Sequence, residues 1–490
     1  MYSELLRRIL VLLRVKGYLT VYLSLSISII LSLILTLYSG ARIGAIKMKV
    51  ECTTDIAMNS VLAEYNRALF DRYGLLMVDA SYGTDNPGIR NIEEHLKYYV
   101  KKNVELTLPG RIEGATTLLG LKCDDAKITG ISFASDNNGA VLRRQIVEYM
   151  TAEPIEGILA EATDNLSIIK STGMDSRDVI AEARSNSEAI ESYELPKIIN
   201  DKGEEEDQYF EDPVKDFWSI TGGGILPMVL PGDKTVSDKQ APLDLLLSHR
   251  NLNKGTGLDE KEDLSITELA LIDQYIIEQC SNYNRFREGS EMSYELEYII
   301  EGEGSDAHNL ESIASKLFMW RAASNAMYIF SDSAKKAEAE AVATVLTAII
   351  FQPELRDLVA NALLFAWAVV ETVSDLKCLY NGGKVPLLKD GSTWRTDFSG
   401  IFSRAFGNGE DHGSGLSYVD YLRIMLMLQP LNTKTARLMD VIEMDIRKTP
   451  GNSTFMLDYC MDIFCAEIKV SSRFGYNVKI ERIYGYETYS

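Results

Sequence analysis

Cysteine is scarce, six in 490 residues, and no C-x-x-C occurs. A disulfide scaffold and a thiolate zinc site of the usual spacing are therefore not expected. Cys460 and Cys465 stand five positions apart. That spacing puts them on opposite faces of a strand, or about 140° apart on a helix, so a local bridge is disfavoured and buried thiols are expected. Histidine is scarcer still: His95, His249, His308 and His412, none near another and none in H-E-x-x-H. The sequence offers no zinc site and no other cofactor site. Neither a G-x-x-x-x-G-K-[ST] loop nor a G-x-S-x-G elbow is present. Positive charge is short as well. Up to Lys49 there are seven basic residues and one acidic, against a whole-chain formal charge of −21, so the remainder carries −27. A body this acidic repels phosphate backbones, which argues against nucleic acid as a partner.

The remaining catalytic signals are weak. Ser333–Lys336, "SAKK", fits S-x-x-K, and Ser135–Asn137 supplies S-D-N. Their order is the reverse of the penicillin-binding pattern, K-T-G is missing, and S-x-x-K recurs at Ser167–Lys170. "GEGSDAH", Gly302–His308, lacks the third glycine of a phosphate loop and is read as a turn leading to a helix cap. The acidic pairs Asp124–Asp125 and Glu204–Asp207 fit no EF-hand spacing and are read as solvated surface. The expectation is a protein that is not an enzyme.

What the chain does contain is "YLTVYLSLSISIILSLILTLY", Tyr18–Tyr38, without one charge. At ~1.5 Å per residue this run makes a helix of about 32 Å, enough to cross a hydrocarbon core. It is longer than the apolar region of a cleaved signal and continues through "SGARIGAIKMKV" without a proline. A retained membrane helix running on into a stalk is expected. Thr20, Ser24, Ser28, Ser32, Thr36, Gly40 and Gly44 recur every fourth residue. Small residues in such a row let helices approach closely in lipid, and a period of four gives a right-handed seam. Each hydroxyl can instead bond the carbonyl one turn back. Arg7, Arg8, Arg14 and Lys16 precede the span, whereas Arg42, Lys47 and Lys49 follow it, a balance that points to a cytoplasmic N-terminus.

Beyond the anchor, Met58, Val61, Leu62, Tyr65 and Leu69 continue one apolar stripe toward the helix stop Gly74. Leu75–Asp79 reads as a buried strand, and Leu118–Ser135 as β structure turning at Asp124–Asp125. "DNNG", Asp136–Gly139, opens a helix, Gly203–Asp216 is an acidic linker, and Thr221–Gly232 is a Gly/Pro-punctuated loop. Ile266–Asn284 has helical period, while Ser293–Gly302 alternates as a strand. Asp306–Phe351 is helix-rich. Ala341–Phe351 and Leu358–Val373 are too short for spans and read as core helices, with a membrane hairpin or a partner interface as alternatives. Ser417 caps a helix that stops before Pro430. Phe455–Val470 and Tyr476–Tyr489 read as a closing hairpin around "SSRFG".

Lys16–Gly83, and above all "AEYNRALFDRYGLLMVDASYG", resembles the start of TadE/TadG-like proteins of tight-adherence (Tad, Flp-type) pilus systems. It is most similar to a Gram-positive relative known as a domain of unknown function. "ITGISFASDNNGAVLRRQIVEYM", "SYELEYIIEGEGSDAHNL" and "LSYVDYLRIMLMLQP" extend the resemblance along the chain. It implies a bacterial, single-pass, pseudopilin-like envelope protein with an outer head. Processing of the prepilin kind would cut between Gly17 and Tyr18, but the fifth residue after the cut is Tyr22 rather than Glu, which resembles the uncleaved type.

The expected fold is α+β and predominantly helical. Its parts are a basic cytoplasmic tail (1–17), a transmembrane helix (18–39), a stalk helix (40–74), a first head segment (75–200), an acidic linker (201–216) and a second head segment (217–490). The expected function is a membrane-anchored pseudopilin-like component. Its partners would be the lipid bilayer and, through the small-residue face, itself or other pilus or secretion membrane proteins. The alternative is an anchored surface enzyme or ligand-binding protein.

Overall fold

A computed structural model describes residues 2–104, 119–199, 205–218, 224–230, 235–258, 263–348, 350, 352–403 and 409–486. Helix accounts for 58% and strand for 11%, an α+β mixture. Helices of seven residues or more are numbered α1–α13, and the strands of the main sheet β1–β4.

Helix α1, Tyr2–Leu62, runs 61 residues, about 90 Å, without interruption. The expected stalk to Gly74 is not continuous. Asn66 turns extended, its side chain accepts from Leu69 N at 3.1 Å, and its backbone N–H goes to Met77 O. A new helix, α2 (Arg67–Tyr73), starts there and stops at left-handed Gly74. Glycine is required at that stop, because a Cβ would lie 2.3 Å from the Tyr149 ring.

The sheet is antiparallel throughout. Strand β3 (Cys460–Ser472) is central. On one side it pairs with β2 (Leu121–Phe133), and on the other with β1 (Val78–Asp79) and then β4 (Asn477–Gly485). The closing hairpin is therefore present, with residues 487–489 outside the described set. The expected turn at Asp124–Asp125 is absent. Leu121–Phe133 is one strand, and a bulge between Cys123 and Asp125 absorbs the irregular pattern. The buried strand expected at Leu75–Asp79 is reduced to β1, although Leu75, Met77 and Val78 are all buried.

The C-terminal part of α1 and helix α3 (Ile89–Val104) cover this sheet. Ile46, Val50, Met58 and Val61 meet Ile92, Leu96 and Val100 over Phe133, Phe464 and Ile468 in one apolar cluster. Because β2 and β3 come from the two head segments, the sheet joins them.

A larger helical core follows. It comprises α4 (Asp136–Met150), α5 (Glu156–Thr172), α6 (Val179–Glu191), α7 (Ile266–Gln279), α8 (Glu295–Glu301), α9 (Asp306–Ile329), α10 (Ser333–Leu346), α11 (Pro353–Tyr380), α12 (Tyr418–Leu428) and α13 (Leu431–Arg447). Asn137, Asn138 and Gly139 take three successive left-handed conformations at the entry to α4, which residues of these types tolerate. A capping box of Ser417 and Asp420 opens α12.

The strand expected at Ser293–Gly302 is instead α8. The alternation misleads because the segment is buried on every side, Glu295 and Glu297 included. Those two glutamates accept backbone N–H groups from Ser281 at 2.7 Å and Tyr283 at 2.9 Å. Helix α11, 83% buried over its most apolar window, is a core helix, so the membrane alternative for Leu358–Val373 is set aside. The acidic linker is described from Glu205, where Glu205–Glu206 pairs with Ile198–Ile199 on the surface. Of the Gly/Pro loop, residues 224–230 are described. They form one turn, Leu226–Val229, held by Glu311 accepting from Ile225 N at 2.9 Å.

Candidate functional site

Three features of the molecule can serve as a working site: the bare half of α1, a groove between helices, and the buried charges of the head. In α1 the packed and unpacked parts divide sharply. Ile46 is 1% exposed and Val50 fully buried, whereas Leu19, Leu33 and Leu37 are more than half exposed. Gly17–Leu62 is long and apolar enough to cross a membrane.

The small-residue row lies on this bare half. Thr20 Oγ1 donates to Gly17 O and Ser24 Oγ to Val21 O, both at 2.9 Å, and Thr36 Oγ1 donates to Ser32 O at 2.8 Å. Those three hydroxyls therefore satisfy themselves one turn back, as such residues do in apolar helices. Ser28 and Ser32 are exposed, and a Cβ placed at Gly40 or Gly44 meets nothing within 4 Å. Gly17 and Tyr18 sit within the continuous helix, Tyr18 exposed.

The groove has a volume of about 370 Å³, within the range of small-molecule sites. Its walls are largely apolar, from Ile158 and Leu159 of α5, Ile266 and Leu269 of α7, and Met427 of α12. Its polar side has two parts. Lys434 donates to the Asp273 carboxylate, and Arg423 Nη1 donates to Gln274 Oε1 at 2.6 Å. Burial pushes the Asp273 carboxyl up against the pull of Lys434, and burial lowers the Arg423 guanidinium. No local sequence pattern marks this site, because its residues come from three stretches far apart in sequence, 155–163, 266–274 and 423–434.

The buried charges form a balanced network around α11. Arg321 donates to Asp375 Oδ2 from Nη2 at 2.8 Å and from Nε at 3.1 Å. Lys389 Nζ donates to Glu371 Oε1, to Asp375 Oδ1 at 2.7 Å and to Thr393 O at 3.0 Å. Glu371 Oε2 accepts from Thr396 N at 2.9 Å and from its hydroxyl at 2.8 Å. Burial pushes the Asp375 carboxyl up, but Arg321 and Lys389 outweigh it and hold the group well below the usual carboxylate range. Two cations face two carboxylates with no opening to solvent, since all four side chains are at most 1% exposed. This arrangement ties α9 to α11 through the core. His412 stands at its edge, Nε2 3.6 Å from Asp375 Oδ1.

The weak motifs serve structure. Ser333 is the first residue of α10, where Asp332 caps the helix by accepting from Ala334 N and Lys335 N. Ser135 precedes the left-handed entry to α4, and Asp136 there accepts from Phe133 N at 2.8 Å and Gly255 N at 2.9 Å. In "GEGSDAH", Ser305 is the N-cap of α9. All six cysteines are free, and Cys52 alone among them is exposed. Among the described residues no group of three His, Cys, Asp or Glu side chains is placed to hold a metal ion.

A model of a family of unknown function, DUF5702, matches residues 203–472, more than half the chain, and the chain belongs to that family. The match ends at the last residue of β3 and does not include Lys16–Gly83, the stretch that chiefly carries the pilus resemblance. No curated protein and no solved structure matches the chain.

Proposed function

We propose that this DUF5702 chain is a non-enzymatic, membrane-anchored, pseudopilin-like component of a Tad/Flp-type pilus or secretion apparatus. The single observation that carries this reading is the division of α1. One unbroken helix leaves Tyr18–Tyr38 bare and buries Ile46, Val50, Met58 and Val61 in the head. A bare apolar helix of that length is stable only if lipid or other helices cover it. The N-terminus lies in the cytoplasm and the acidic head outside. Because the outer half of α1 belongs to the head's core, force or movement in the membrane helix passes directly to the sheet. The row from Thr20 to Gly44 is the face on which a second membrane helix packs, the glycines giving the closest approach.

Native mass spectrometry of sheared-surface and membrane fractions tests the reading. An intact Met1 in the membrane fraction is expected for an assembly component that stays anchored. A chain starting at Tyr18 in the sheared fraction would make it a processed filament subunit, and a chain found only in the cytosol would refute the anchor.

The groove favours a second reading, an anchored ligand-binding protein, because its apolar walls, the Arg423 guanidinium and the Lys434–Asp273 pair suit a small amphiphile. Retention of a host-derived small molecule by the purified chain, lost on Leu269→Trp, would support it.

A further inference from the structure

We infer that the turn between β3 and β4 seats on the membrane surface and binds anionic phospholipid headgroups, an inference that rests on α1 spanning the bilayer. The turn reaches the membrane end of the head because β4 runs along α1. Phe474 meets Arg42, Tyr484 bonds Asp55, and the Tyr486 hydroxyl donates to Leu62 O, so strand and helix ascend together. The turn is thus at the bottom. Arg42 lies four residues beyond Tyr38, the last residue of the uncharged run, or about 6 Å along the axis. That is headgroup depth.

The chemistry there is that of an interface. The Arg42 guanidinium lies over the Tyr38 ring at 4.5 Å and over the Phe474 ring at 3.8 Å. Arg473, exposed, also lies over Phe474, at 4.8 Å. Aromatic rings beside arginines are favoured at a membrane–water boundary, and basic residues there attract anionic lipid. Lys122, exposed, sits next to the turn opposite Ser471, whose hydroxyl donates to Asp124 at 2.9 Å. The local balance is three cations to one carboxylate on a body that carries −27 beyond Lys49. An anionic surface therefore repels the body and attracts this corner, which orients the head.

The turn is also built rigidly. Arg473 N donates to Gly120 O, and Ser472 Oγ to Leu119 O, each at 2.9 Å. Gly475 N closes the turn on Ser472 O at 2.9 Å.

The test uses the full chain in phosphatidylcholine nanodiscs, with or without phosphatidylglycerol. F474W adds an indole whose emission, taken as the increment over the unsubstituted chain, is read against a headgroup-nitroxide lipid. Quenching is expected, stronger with phosphatidylglycerol. Adding R473Q should lower the ratio of seated to lifted turns about 5-fold. No quenching of F474W would overturn the inference, provided that L31W is quenched by an acyl-chain nitroxide. Failure of L31W as well would mean that the anchor reading has failed and the inference with it. Hydrogen exchange at residues 473–476 of the unsubstituted chain gives the same answer without a variant. Slower exchange with phosphatidylglycerol supports the seat, and equal exchange in both lipids overturns it.

Discussion

Met58→Ala and Leu33→Ala remove comparable side chains from the same helix, and the structure assigns them opposite consequences. Met58 is fully buried between α3 and the sheet, while Leu33 is 59% exposed. Truncating a buried Met or Leu removes its transfer free energy and leaves a cavity, at roughly 2–5 kcal/mol. For a folded body of this size about 2 °C of melting temperature accompanies each kcal/mol, so Met58→Ala should lower the transition by about 4–10 °C. Leu33→Ala should stay within about 0.5 kcal/mol, because in detergent its surroundings are equally apolar before and after. Thermal unfolding of the detergent-solubilised chain, followed by near-ultraviolet circular dichroism, reads both. Equal effects, or a larger one for Leu33→Ala, would refute the claim that the head begins inside α1.

Other predictions follow from the buried charges and the membrane face. Lys389→Met leaves Glu371 and Asp375 without their shared cation and should destabilise by about 3–5 kcal/mol in urea titration. An unchanged midpoint would mean that the pocket is wet. Burial raises the Glu297 carboxyl to about 7, against the backbone N–H of Tyr283 and the Tyr418 hydroxyl, which both favour its charge. Its raised value means the folded state holds the proton more tightly, so its stabilisation is complete below about 4.5 and is lost as pH rises through about 7. The 2.5-unit difference corresponds to about 3 kcal/mol, so Glu297→Gln should be relatively more stable at pH 8 than at pH 5 by an amount of that order. Parallel pH profiles for variant and parent would contradict this. Changing Gly40 and Gly44 to Leu should weaken crosslinking between membrane helices while leaving the melting temperature of the head alone, since neither Cβ meets the head.

What the sequence revealed depended on whether a signal was local. Tyr18–Tyr38 has no charge, Ser417 and Asp420 form a cap three residues apart, and the hairpin around "SSRFG" has β-branched strands on each side. Each of these is decided within about two dozen neighbouring residues. Ser293–Gly302 failed because alternation signals a strand only where one face is wet, and here the intervening glutamates are buried on the backbone of Ser281 and Tyr283. The acidic Asp124–Asp125 step is a bulge rather than a turn, and only pairing with β3 distinguishes the two. The stalk broke early because Asn66 has a tertiary partner, Asn452 Oδ1 at 2.8 Å, that no helical periodicity records. The ion network joins Arg321, Glu371, Asp375 and Lys389 across α9, α11 and a loop, and the groove draws on three distant stretches. Neither has a spacing that could be read in advance.

The most direct test of the central claim uses a thiol already present. Cys52 is exposed on the head-packed part of α1, about 20 Å beyond Ser39 along the axis, and the other five cysteines are buried. Intact cells should therefore take up a membrane-impermeant maleimide at Cys52 without lysis, and Cys52→Ser should abolish that labelling. Labelling that appears only after lysis would place the head inside the cell and contradict the account.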